Sequence, residues 1–204
     1  MPKIVDKAAK RRKILEAAIV VFSEKGYHGT KMADIAVAAG MGKGTLYEYF
    51  PNKESLPKEI VNLFFEGSDK HLIEIKQSGL SPIDVVIAGI QLTLKDIDEI
   101  AEVTPLCFEL LGNKKLDQSL GLSESFSLWL EQLSCFFAEA ILLGQSNGKI
   151  NPDVNAKAFA RMLVSAVDGM GMHYSMFQVD AEFLKEQFEE LENMVRQQLQ
   201  TVDS

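Results

Sequence analysis

The sequence predicts an all-α protein, with a three-helix N-terminal unit that holds a helix-turn-helix and a larger helical body behind it. Three observations predict this. Apolar residues recur at helical spacing almost throughout, no segment alternates as a half-buried strand would, and Gly/Pro/Asn clusters fall between the periodic segments. At 204 residues, 47% hydrophobic and 25% charged, the chain has the composition of a globular protein that can bury a core without disulfides or metals. No period of about 20–50 residues repeats, which argues against a helical solenoid.

The first helix is expected over about 10–25, with Ile14, Leu15, Ala18, Ile19 and Phe22 on one face and Gly26 as its stop. The second covers about 31–39, capped by Thr30, with Asp34 in its first turns and Gly40 at its end. A short third helix follows over 43–50, with Gly42 at its start. Pro51-Asn52 then breaks the chain, and a long helix is expected over about 53–77. Pro57 would fall in its second turn, so either this helix starts later or its first turn is distorted. Further helices are expected at about 82–101, 104–112, 123–147, 154–178 and 181–201, with 113–122 as the loosest connection. The domain boundary is placed at residue 53, giving domains 1–53 and 54–204.

Charge divides along the same line. Residues 1–53 carry ten basic and five acidic side chains, whereas 54–204 carry eleven basic and twenty-four acidic, within a net charge of -8. A basic end on an acidic body suits a protein that meets a polyanion at one end. No uninterrupted apolar run approaches the ~18 residues of a membrane span. The N-terminus shows no secretory signal, so the expectation is a cytoplasmic protein without a membrane partner. Cys107 and Cys135 lack metal or redox spacing and read as small buried hydrophobes. His28, His71 and His173 have no ligand-spaced partners, and Gly169-Met170-Gly171 lies inside a helix rather than after a strand. No metal site, cofactor or catalytic set is expected.

Ile35, Ala36 and Ala39, then Gly40, then Leu46 and Phe50 form a helix-turn-helix candidate whose third helix projects Lys43, Gly44, Thr45, Tyr47 and Tyr49. A cation, a glycine and hydroxyls on a short helix suit the major groove. Lys can donate to guanine, glycine permits close approach, and hydroxyls bond phosphates or base edges. The string Gly26-Tyr27-His28-Gly29-Thr30-Lys31-Met32-Ala33-Asp34-Ile35-Ala36, then Ala39 through Phe50, then Asn52-Lys53-Glu54, closely resembles the N-terminal domain of the tetracycline-repressor (TetR) family over about residues 10–56.

That resemblance implies a homodimeric transcriptional regulator, usually a repressor, whose C-terminal domain binds a small effector and releases a DNA operator. Carried over by position, Lys43 and Gly44 would approach bases, while Thr30, Thr45, Tyr47, Tyr49 and Lys53 would hold phosphates; Lys31, where the family differs, can still reach a phosphate. Gly42, Lys31 and Met32 depart from the family, which often has Ser at the first and small hydroxyl residues at the other two; Met32 cannot donate to a phosphate.

Two expectations concern the body. Helices 154–178 and 181–201 are apolar enough to form the homodimer interface, with the alternative that one chain covers both. Phe64, Phe108, Leu111, Phe126, Trp129, Leu133 and Phe137 are the expected apolar lining of an effector cavity, with His71, Gln91, Glu109 and His173 as polar anchors. The alternative is that these aromatics simply fill a core. Two other functions compete: a DNA-binding dimer without effector, and a helical-bundle enzyme or carrier whose basic end is incidental.

Overall fold

A computed structural model describes residues 7–201; the side chains of Phe64, Glu66, Ser68 and Glu99 lie outside the described residues. Those residues form helices and no strand: α1 (Lys7–Gly29), α2 (Met32–Ala38), α3 (Lys43–Tyr49), α4 (Ser55–Gln77), α5 (Pro82–Lys95), α6 (Ile97–Gly112), α7 (Lys114–Leu120), α8 (Leu122–Ser146), α9 (Ala156–Phe177) and α10 (Ala181–Leu199). They gather into two compact units, one of residues up to 65 with 102–124, the other of 66–101 with residues from 125 on.

In the first unit, Ile14, Leu15, Ala18 and Phe22 of α1 are buried with Ile35 and Ala36 of α2, Leu46 of α3 and Leu56 and Ile60 of α4. Helical geometry in α1 breaks at Gly26, whose φ of 69° and ψ of 165° suit a residue without Cβ. Thr30 does not cap α2. Lys31 takes that place, its backbone N–H donating to Asp34 Oδ2 at 3.0 Å. Thr30 instead turns inward, because its hydroxyl donates to Gly26 O at 2.7 Å and so serves the carbonyls left at the end of α1. The start of α4 at Ser55 resolves the proline conflict. Pro57 becomes the third helical residue, where a backbone N–H would have no intrahelical partner anyway.

Two boundaries differ from expectation. The segment 113–122 is not a loose connection but contains α7, capped by the Asn113 side chain accepting from Leu116 N and closed by left-handed Gly121. Seven mostly polar residues are too few to show helical periodicity. The helices expected at 82–101 and 104–112 divide instead at Asp96, and α6 runs straight through Pro105. A proline inside a helix leaves the carbonyl four residues back without its donor. Here that carbonyl belongs to Ala101, and the Ser175 hydroxyl of α9 donates to it at 2.9 Å.

The second unit packs α10 on α5 and α9 around Ile90, Phe136, Phe137, Ile141, Val164, Leu184 and Phe188. Gly89 makes room for α8: a Cβ there would lie 2.7 Å from Phe136 Cε1 and 2.8 Å from Phe137 Cε1. Gly89→Ala is expected to lower stability by about 1–3 kcal/mol through overpacking, read as a lower urea midpoint; an unchanged midpoint would refute this tight seating. By length and apolarity α8 could cross a membrane; Leu133, Phe136, Phe137 and Ile141 of this helix are buried in the core, while Leu128, Leu142 and Leu143 are exposed.

Cys107 is buried, which pushes its thiol up to about 12, whereas Cys135 is exposed on α8, contrary to the expectation of two buried thiols. Its position faces outward from the core residues Phe136 and Phe137 on the same helix.

Asp168 of α9 also carries a pH signature. Burial pushes its carboxyl from 3.8 up to about 6, with Arg161 pulling weakly the other way. The folded state therefore keeps this proton to higher pH than the unfolded chain, and stability falls as pH rises from about 4 to 6. Much of the residue is exposed to water, so the effect on stability is small. Asp168→Asn should raise the urea midpoint at pH 7.5 and leave it unchanged near pH 4. Equal midpoints at both pH values would show that Asp168 titrates normally.

Candidate nucleic-acid interface

The turn between α2 and α3 is built by its hydrogen bonds. Gly40 N donates to Val37 O at 3.0 Å and Met41 N to Ala36 O at 2.9 Å, the paired bonds that close a helix through a left-handed residue, and Gly40 supplies φ of 65°. Gly42 then caps α3 in extended conformation, its carbonyl accepting from Leu46 N at 3.1 Å. Leu46 and Phe50 are fully buried, which fixes the opposite face of α3 outward.

Lys43 and Gly44 stand exposed on that face, and a Cβ added to Gly44 would meet nothing within 4 Å. Tyr47 is 42% exposed, with the Lys43 ammonium 5.8 Å from its ring centroid. Thr45 and Tyr49 are half-buried at the edges of the face, and Lys31 is exposed at the start of α2. The surface therefore offers a cation, an open backbone and hydroxyls together. Beside it, Lys7, Ala8, Arg11, Glu48 and Tyr49 line a cleft of about 350 Å³. Arg11 donates to Tyr49 O at 3.2 Å, pairs with Glu59 at 2.9 Å and lies 4.4 Å from the Phe50 ring centroid. It braces α3 from α1.

Two of the expected phosphate contacts sit elsewhere. Thr30 is 2% exposed, its hydroxyl directed to Gly26 O and Val21 O. The Lys53 ammonium donates to Tyr27 O at 2.7 Å and Thr30 O at 3.0 Å and lies 4.4 Å from the Tyr27 ring centroid. Both residues hold the turn between α1 and α2. Near that turn, the Lys31 backbone N–H and then the Lys25 ammonium hold the Asp34 carboxyl below the usual range.

The residues expected to line an effector cavity divide between the two units. Phe64 falls among the side chains outside the described residues. In the first unit, Phe108 is 48% exposed, Leu111 is half-buried, and Glu109 accepts from Tyr27 N at 2.7 Å and His28 N at 3.3 Å. In the second unit, Leu133 and Phe137 belong to the packed core, Gln91 is exposed and donates to Glu192, and exposed His173 stacks edge-on against Phe177. His71, Phe126 and Trp129 are half-buried, and His71 Nδ1 is buried without a hydrogen-bond partner.

An outward α3 on a glycine turn, with a basic and hydroxyl-bearing face, defines a helix-turn-helix DNA-binding protein. Residues 14–60 match the family model of bacterial regulatory proteins, tetR family, so the N-terminal helix-turn-helix of this chain is that of a tetR-family transcriptional regulator. It is 36% identical over 73 residues to YuxN, an uncharacterized regulator of Bacillus subtilis (strain 168), a match spanning 36% of this chain and only 25% of that relative. It is 26% identical to the regulator UidR of Escherichia coli (strain K12), over 78% of this chain and 79% of the relative. The fatty acid metabolism regulator protein of Bacillus subtilis (strain 168) is 29% identical over 79% of this chain and 81% of its own length. The structure of the fatty acid degradation regulator FadR from Bacillus halodurans superposes with a TM-score of 0.69 at 25% identity, covering 94% of this chain and 98% of that one.

Proposed function

We propose that this regulator is a cytoplasmic homodimeric repressor that binds a palindromic operator and is released by a small, mainly hydrophobic effector. The observation that carries the reading is the outer face of α3, where Lys43 and Gly44 are exposed beside Tyr47 while Leu46 and Phe50 anchor the helix behind them. DNA contact is assigned to residues 1–53, with Lys43 and Gly44 at bases and Lys31, Thr45, Tyr47 and Tyr49 at phosphates.

Dimerisation through α9 and α10 is supported by what a single chain leaves uncovered. Met162, Met176, Phe177, Phe183 and Met194 are exposed on these two helices, while Ala160, Leu163, Val164 and Val167 turn inward. Such an apolar surface favours a second copy. A two-fold pair would present two copies of α3 to half-sites about one helical turn apart.

The effector assignment rests on His71, Phe126 and Trp129 in the body. A buried imidazole nitrogen without a partner favours a ligand that brings one polar group, and half-buried Phe126 and Trp129, in the same unit, favour an apolar remainder. Two similar proteins named for fatty acid metabolism and degradation make acyl compounds the first class to test.

Light scattering should return twice the 22.7 kDa of one chain at micromolar concentration; a value of one chain would refute the dimer. A gel shift on a palindromic duplex, titrated with acyl compounds while the single tryptophan, Trp129, is followed by fluorescence, tests release. If neither signal changes with any compound, the DNA-binding dimer without effector is the better reading.

A further inference from the structure

Leu46 and Phe50 are fully buried, and these two fix which direction from α3 is outward. At about 100° per residue, the direction opposite them falls on Glu48, with Gly44 about 40° to one side. Lys43 and Tyr47 lie further round on that side, and Thr45 lies on the other. Glu48 is exposed, and among the described residues it makes no hydrogen bond or ion pair. Two cations line the cleft that Glu48 shares, but the Arg11 guanidinium is taken by Glu59 and Tyr49 O, and Lys7 does not pair with it.

Side chains on a helix lean toward its N-terminus, so each covers the surface over the turn before it. The turn before Glu48 holds Gly44, and a Cβ added there would meet nothing within 4 Å. The Glu48 carboxylate therefore stands at the middle of the outward face, over bare backbone. On a surface that meets phosphates such a charge is repelled on every sequence, unless a base repays it with a hydrogen bond. A carboxylate can only accept. In the major groove cytosine offers its N4 amino group as a donor, whereas guanine offers two acceptors and thymine an acceptor and a methyl group. Adenine places the N7 acceptor beside its amino donor, so cytosine is the base that suits a carboxylate best.

We infer that Glu48 is a specificity-determining residue, whose carboxylate accepts from the N4 amino group of a cytosine in the operator and rejects thymine and guanine at that position. It adds to Lys43 a second reader of opposite charge on the same helix. Rejection is as much its work as attraction, because an unmatched carboxylate facing an acceptor is left without a partner. The inference rests on DNA reading by α3, as proposed above.

The test is selection of duplexes from a random-sequence library by the wild-type protein, Glu48→Ala and Glu48→Gln, followed by Kd measurements on single-base variants of the wild-type duplex. Glu48 is exposed and holds nothing in the fold, so both variants should keep the wild-type urea midpoint. The wild-type protein should require a cytosine at a position distinct from the one read by Lys43, and thymine there should weaken Kd roughly tenfold or more. Glu48→Ala should bind the cytosine and thymine duplexes equally. Glu48→Gln, whose amide donates as well as accepts, should bring adenine into favour at that one position. Removal of a merely repulsive charge would not change a preference in this way. If Glu48→Ala shifts Kd by one common factor on every duplex and keeps the wild-type preference at every position, the cytosine assignment is overturned while reading by α3 stands. A wild-type protein that recovers no duplex would overturn the operator reading with it.

Discussion

Raising the salt concentration from 50 to 200 mM should weaken operator binding by about ten-thousand-fold. A dimer contacting about four phosphates per half-site releases counterions with a log-log slope of roughly -7. The motivation is structural as well as compositional. Lys43 and Lys31 are exposed on the DNA-facing elements, and ten of the 21 basic side chains lie in residues 1–53. Lys53 now counts among the structural cations, since its ammonium is committed to two carbonyls. Lys43→Ala should cost on the order of 1–3 kcal/mol at its own base pair and alter sequence preference, whereas Tyr47→Phe should weaken all duplexes alike. Filter-binding titrations at five salt concentrations read the slope. A slope shallower than about -3 would mean that far fewer phosphates are engaged than a two-fold complex requires.

Phe50→Ala should remove about 3–5 kcal/mol of stability, the usual cost of emptying a buried aromatic site. Phe50 is fully buried, ends α3 with its N–H donating to Leu46 O at 3.0 Å, and lies beneath the Arg11 guanidinium. Against a total of about 5–15 kcal/mol for a protein of this kind, that loss is large. It should abolish duplex binding as well, because the same ring fixes which face of α3 points outward. Tyr47→Phe is the matched control: a surface hydroxyl is removed, so stability should stay within about 0.5 kcal/mol. Urea unfolding separates the two, and a Phe50→Ala midpoint equal to that of Tyr47→Phe would show that the ring is not holding the recognition helix.

Local signals carried the sequence a long way. Helical spacing placed α8, α9 and α10 to within about two residues, and Gly40 marked the turn that the φ of 65° requires. The order Ile35-Ala36, Gly40, Leu46-Phe50 is enough to orient α3, because buried residues on one side leave Lys43, Gly44 and Tyr47 on the other. Each of these signals acts over one or two helical turns, so a linear chain displays it.

What only the tertiary structure decided is where polar side chains find partners. Thr30 looked like a cap and Lys53 like a phosphate contact by position, but both are drawn to backbone carbonyls around the α1–α2 turn. Glu109 looked like a pocket anchor among apolar neighbours, yet its partners, Tyr27 and His28, lie about 80 positions earlier in the chain. A break was expected between 101 and 104, yet α6 runs through Pro105, and Ser175, on another helix, donates to the carbonyl left without its helical partner. Periodicity reports which face of a helix is buried. It does not report which unsatisfied backbone group waits at the end of another helix, and a buried or half-buried polar group goes to whichever partner the packing brings within about 3 Å.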